Sequence, residues 1–116
     1  MLGAQCHAVR VRLTGPPVPD RTLAERLSAA GPWRLWVDDV PAGAAEPLAE
    51  RRLDAEMRRP AAGVRCVLLR YADGEADLVV VADRDRLDRG GLGALTAMLA
   101  VTRAAGPCPA PEAGRP

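Results

Sequence analysis

The residues best placed to do chemistry gather at one join in the chain. In LVVVADRDRLDRGGLGALTAML (78–99) an apolar run meets Asp83-Arg84-Asp85-Arg86 and Asp88-Arg89, six charges in seven residues. Gly90, Gly91 and Gly93 follow and open an apolar helical pattern. Carboxylates at such a strand-to-helix turn can act as a base or bind a hard cation, which makes Asp83, Asp85 and Asp88 candidates. Arginines alternate with them, however, and neutralise the local field. That is the pattern of a salt-bridged surface, where each exposed pair contributes only about 0–1 kcal/mol. Free amides at a helix start also favour anions, so the glycines could cradle a phosphate. They match neither G-x-G-x-x-G nor the P-loop, whose lysine is missing because the chain has none. The simpler reading is that they let the helix begin sharply and close to the sheet.

Elsewhere the inventory for catalysis is thin. Ser28 is the only serine and His7 the only histidine. Ser28 falls late in a helical stretch rather than on a nucleophile elbow, so a Ser-His-acid triad is not expected. Cys6 and His7 are neighbours on a strand and must point to opposite faces, which works against a Cys-His dyad. Cys6, Cys66 and Cys108 are odd in number and widely spaced. They suggest neither a disulfide framework nor a metal knuckle, and the expectation is a reduced, cytoplasmic protein with no metal and no cofactor.

These residues need a scaffold. HAVRVRL (7–13) alternates as a half-exposed strand, with Val9, Val11 and Leu13 on one face and Arg10 and Arg12 on the other. Thr22 and Glu25 fit a capping box for a short helix whose inner face is Leu23, Leu27 and Ala30 and which Gly31-Pro32 stops. WRLWVDDV (33–40) reads as a strand with Trp33, Leu35 and Val37 on one face. A helix from about Glu46 to Arg59 carries the apolar stripe Leu48, Ala49, Leu53 and Met57, and Pro60 and Gly63 end it. VRCVLLRY (64–71) is apolar on both faces at its middle, as a central strand is. The Asp73-Gly74 turn returns it as a hairpin into Asp77–Ala82. The last helix runs from about Gly91 to Arg103, burying Leu92, Leu95, Leu99 and Thr102 with Met98 beside them. Residues 5–103 therefore form one α+β unit of order βαβαββα, helices on a mixed sheet. Residues 104–116, rich in Pro, Gly and Ala, read as a flexible tail or linker.

With 116 residues the chain makes one domain with a real core. The formal charge is +1, and the 16 basic residues, all arginine, are interleaved with 15 acids. That balance argues against a nucleic-acid surface. No stretch is long and apolar enough for a membrane helix, and no signal peptide is visible.

Trp33 to Val101 resembles part of the condensation domains of nonribosomal peptide synthetases, which have the chloramphenicol-acetyltransferase-like fold. LWVDDVPAGAAEPLAERRLDAEMRRP (35–60) is similar to that family's strand, aspartate, loop and acidic-basic helix ending in Arg-Pro. AGVRCVLLRYADGEADLVVVA (62–82) is similar to its hairpin, and DRDRLDRGGLGALTAML (83–99) falls where the family has two histidines, three residues, Asp-Gly and a helix. The resemblance implies the N-terminal half of such a domain, and it implies that the catalytic position is degenerate. The histidine pair becomes Asp83 and Arg84, and Arg84 stands where the family keeps its catalytic histidine. A guanidinium stays charged near neutral pH and cannot take a proton. Asp88 keeps the family's structural aspartate, for which Arg34 or Arg65 would be the salt-bridge partner. Arg89 replaces the motif glycine, and Gly90 and Gly91 replace the tryptophan and serine that often follow. The half that closes the family's substrate tunnel, and most of its amino-terminal region, are not in the sequence.

Three expectations follow. In the first, the chain is a catalytically inactive condensation-like module that binds an adenylation domain, a carrier protein or another synthetase subunit, or pairs with itself. In the second, it is a small acyl- or carrier-thioester-processing enzyme using Asp83 or Asp85 as base. In the third, it is an independent α+β binding domain whose likeness to the family is accidental.

Overall fold

Alternating and continuous apolar runs build a four-stranded sheet. The computed structural model describes residues 5–13 and 18–100. In chain order the elements are β1 (Cys6–Leu13), α1 (Asp20–Ala30), β2 (Leu35–Val40), α2 (Pro47–Arg58), β3 (Val64–Tyr71), β4 (Ala76–Asp83) and α3 (Arg89–Leu99). The strand order is β1-β4-β3-β2. β4 pairs antiparallel with β1 and with β3, whereas β2 pairs parallel with β3, so the sheet is mixed and the fold α+β. The parallel β2–β3 pair needs a crossover connection, and α2 supplies it.

The strand that reads as apolar on both faces, β3, and its hairpin partner β4 lie at the centre. Leu78, Val80, Ala82 and Cys66 pack against Leu27, Leu92, Leu95 and Leu99 of α1 and α3. Val79, Val81, Val67 and Leu69 face the other way, toward Ala49 of α2. Between β3 and β4 the chain turns at Gly74, whose φ of +88° is a conformation that side chains disfavour. This is the Asp-Gly hairpin expected from the sequence.

Several local expectations shift. α1 begins at Asp20, with Pro19 as its N-cap and no side-chain cap, so Thr22 lies inside the first turn and makes no capping box. Starting there puts the Asp20 carboxylate 2.7 Å from Arg70 on β3 and near the positive helix end. Ala30 is exposed. In α2 the inward residues are Ala49 and Glu56, with Leu53 and Met57 half-buried, while Leu48 lies outward and is 45% exposed. Leu35 packs inward, but Val37, expected on the same buried face, is 39% exposed because β2 is an edge strand. α3 starts two residues earlier than expected, and Met98 is 40% exposed. Thr102, Arg103 and the tail expected at 104–116 lie outside the described residues, as does Cys108. No described helix is long and apolar enough to cross a membrane.

Leu78 and Leu48 give a matched test. Leu78→Ala should lower the unfolding free energy by about 2–5 kcal/mol, the cost of a core cavity. Leu48→Ala should stay within about 0.5 kcal/mol. Urea denaturation followed by circular dichroism measures both.

Candidate functional site

The turn between β4 and α3 is held by its own backbone. Asp83 closes β4: its amide donates to the Gly63 carbonyl (2.7 Å), and its carbonyl accepts from the Arg86 (2.9 Å) and Leu87 (3.0 Å) amides. The Asp83 carboxylate accepts from the Asp85 amide at 2.9 Å. The Arg84 amide donates to the Gln5 carbonyl at 2.6 Å. His7 Nε2 donates to the Leu87 carbonyl at 2.8 Å, from the face of β1 opposite to Cys6, as neighbours on a strand require. Asp88 caps α3, with Oδ1 accepting from the Gly91 amide at 2.8 Å.

The arrangement of this turn differs from the one its charges and glycines suggest. Its charges do not neutralise one another in salt bridges. Among the described residues, none of Asp83, Arg84, Asp85, Arg86, Asp88 and Arg89 belongs to an ion pair. The acids Asp83 and Asp88 bind amides instead, and the arginines project into solvent. Asp88 also lacks the salt bridge expected with Arg34 or Arg65. Arg34 lies over the Trp36 ring, 5.4 Å from its centroid, and Arg65 is committed to α2. The Gly90–Gly93 amides offer no ready phosphate cradle, since the Asp88 carboxylate already occupies the helix start. A Cβ on Gly93 would meet nothing within 4 Å, so that glycine serves no close approach to the sheet.

Two buried carboxylates that the sequence reading passed over organise the opposite face. Asp77 on β4 is fully buried directly opposite Arg12 on β1. It accepts from Arg12 Nε (2.8 Å) and Nη2 (3.1 Å), from Arg10 Nη1 (3.5 Å) and from the Tyr71 hydroxyl. The Arg12 guanidinium also sits 5.6 Å from the Tyr71 ring centroid. Burial, and then the hydrogen bond to Asp77, raise the Tyr71 pKa well above the ordinary tyrosine value, so the hydroxyl is a fixed donor. With donors from three side chains, Asp77 is a structural anion rather than a base awaiting a substrate.

Glu56 of α2 is the second buried acid, only 1% exposed. It accepts from Arg52 Nη1 (2.8 Å) and Arg65 Nε (2.9 Å). Burial pushes its pKa up, but the two guanidiniums outweigh that and leave it below the ordinary glutamate value. Arg65 also donates to the carbonyls of Glu56, Arg59 and Pro60, which closes the C-terminal end of α2. Arg52 reaches across to Asp38 on β2 (Nε, 2.9 Å). Between this ladder and β2 lies an open groove of about 390 Å³, walled by Trp36, Asp38, Arg52, Glu56, Arg59 and Arg65.

The groove is suited to binding rather than to proton transfer, since both of its carboxylates already hold arginines. Cys66, buried on the α1 and α3 side, is not a nucleophile either: burial pushes its thiol up to about 12. Among the described residues no three His, Cys, Asp or Glu side chains converge so as to hold a metal ion. The signal that could have revealed Asp77 is the placement of Arg10 and Arg12 on one face of β1, since two cations on a half-covered face call for an anion.

No family model matches the chain, and no curated protein does. Among solved structures it is similar to the nonribosomal peptide synthetase FmoA3 in its AMPPNP-bound form, with a TM-score of 0.55 and 17% identity. The match covers 90% of this chain and 14% of the synthetase chain. The fold is therefore one that a nonribosomal peptide synthetase contains.

Both acids can be tested through stability. Asp77→Asn should cost about 3 kcal/mol, the low end for breaking a buried ion pair, because Arg12 retains contact with water. Tyr71→Phe, which leaves the arginines in place, should cost about 1 kcal/mol. A carboxylate with a lowered folded pKa stabilises the fold above its unfolded value and loses that contribution as the pH falls through the folded one. The Glu56 contribution should thus be complete above about pH 4.5, its ordinary value, and disappear below it. Denaturation measured from pH 7 to 3 should show a shallower acid slope for Glu56→Gln than for the unmodified chain.

Proposed function

We propose that this protein is a non-catalytic, condensation-like module that supports or recruits another component of nonribosomal peptide biosynthesis: an adenylation domain, a carrier protein or another synthetase subunit. The observation that carries the reading is the state of the 83–89 turn. At the position that the sequence resemblance aligns with the histidine base of condensation domains, this chain has Arg84, exposed and permanently charged. The neighbouring carboxylates of Asp83 and Asp88 are bound to backbone amides. The scaffold around the turn is intact, with β4 buried along its length and α3 packed on it. A framework kept without its base fits a role in contact rather than in turnover. The shared fold with part of a synthetase supports the same pathway.

The enzyme reading, with Asp83 or Asp85 as base, has less behind it. Neither residue lines the groove beside β2, and the Asp83 carboxylate already holds the Asp85 amide. A general base needs to reach the proton it abstracts within a substrate pocket.

The test combines binding with turnover. The purified chain should bind an adenylation domain or carrier protein in biolayer interferometry. It should also fail to transfer an acyl group from a carrier-bound thioester to an amine acceptor. Turnover abolished by Asp83→Ala or Asp85→Ala would establish the enzyme instead, and absence of binding to every synthetase component would end the recruitment reading.

A further inference from the structure

β2 is the edge of the sheet that is least finished. Among the described residues its one strand partner is β3, and no other described strand pairs with its outer backbone edge. Native proteins blunt such edges with charge, proline, bulges or a covering element. Here α2 packs over β4 and β1 and reaches β2 through the Arg52–Asp38 contact, with the open groove between them. Trp36 is 54% exposed there and Val37, on the opposite face, 39%. Large apolar side chains on an open strand edge are the features of a surface used for strand addition.

The order of residues on this edge selects the occupant. Trp36 and Asp38 share one face of β2, opposite Val67 and Leu69, and Arg34, just before the strand, lies over the Trp36 ring on that face. The face thus reads cation, aromatic, anion at a spacing of two. Read antiparallel against itself about Trp36, this pattern is self-complementary. In two antiparallel strands related by a twofold axis perpendicular to the sheet, the axis passes between a residue and its own copy. With Trp36 on the axis, Arg34 lies opposite Asp38 of the second copy, and the reverse contact repeats it. The two Trp36 rings meet between these ion pairs, and Leu35 lies opposite Val37 on the other face, apolar against apolar. Centring on Val37 would instead put Trp36 on Asp38 and Leu35 on Asp39. Centring on Asp38 would bring like charges together.

The groups needed are also available. Arg34 is exposed and belongs to no ion pair among the described residues. Asp38 binds Arg52 through Oδ2 alone and leaves Oδ1 for a second guanidinium. We infer that two copies of this chain pair through β2, antiparallel about Trp36, joining their sheets into one of eight strands with reciprocal Arg34–Asp38 contacts. This interface does not rest on the functional reading above and stands or falls separately.

Sedimentation velocity on the full 12.3 kDa chain tests it. The unmodified chain should sediment at twice its own mass. Arg34→Asp and Asp38→Arg each set like charges opposite one another at both contacts and should weaken the dimer about tenfold or more. An equimolar mixture of the two variants should restore it. The new carboxylate at position 34 then faces the new guanidinium at position 38, and the native pair is preserved at the other contact. A chain that stays monomeric at its highest soluble concentration would overturn the inference. So would a single variant that remains as dimeric as the parent, or a mixture of folded variants that does not re-associate. If circular dichroism shows Asp38→Arg to be unfolded through loss of its Arg52 contact, Trp36→Asp decides. It changes an exposed residue and sets two carboxylates face to face on the axis, so a persisting dimer refutes the register.

Discussion

A carboxylate buried in a sheet cannot be left without partners, and Asp77 sets conditions that much of this fold meets. An isolated charge in the interior costs far more than any one hydrophobic contact returns, so it needs cations and donors in fixed places. Those places are Arg10 and Arg12 on β1 and Tyr71 at the end of β3. A one-residue slip of β1 along β4 would turn both arginines to the opposite face and put Val9, Val11 and Leu13 in their place. The hydrophobic pattern of β1 and the needs of Asp77 therefore specify the same register. This gives an edge strand, which hydrogen-bonds on one side only, a more definite position than its apolar residues provide alone.

Glu56 repeats the device on the same face. A single acid on α2 takes Arg52 from its own helix and Arg65 from β3, and Arg52 continues to Asp38 on β2. The choice of arginine matters here. The planar fork of Arg65 serves a carboxylate and three carbonyls together, which the compact ammonium of lysine would do poorly. The outcome is a polar interior in which, among the described residues, no buried side-chain nitrogen or oxygen lacks a partner. A catalytic site usually keeps an acid or base poised for substrate. The buried acids here hold strands and helix ends together instead.

How far the sequence discloses this depends on the range of the interaction. The hairpin is legible because Gly74 and the flanking apolar runs are local signals, and the α3 face is legible because Leu92, Leu95 and Leu99 keep helical spacing. The start of α1 is misread for the opposite reason. Thr22 and Glu25 fit a local capping pattern, but Asp20 has an ion-pair partner fifty residues away in Arg70. Spacing alone puts Leu48 on a buried stripe, whereas the packing of α2 over β4 and β1 turns it outward in favour of Glu56. A buried Glu cannot be told from a solvated one by pattern alone, since what buries it is a pair of arginines, one of them nine residues along the chain. The candidate site was legible as a place and not as an arrangement. Alternating signs suggested ion pairs, whereas short Asp side chains at a turn reach their own backbone more readily than a neighbouring guanidinium.

The same reasoning separates the two edges of the sheet. β1 is an edge that bears the partly exposed Arg10 and Arg12, charges that disfavour addition of another strand even while they hold Asp77. β2 is an edge whose acids are both engaged, Asp38 by Arg52 and Asp39 by Arg70, so its remaining character is set by Trp36 and Val37. Neutralising the acids from within makes β2 less repellent than its sequence, LWVDDV, suggests. The ion pairs that rigidify this side of the domain thereby leave its edge open to contact.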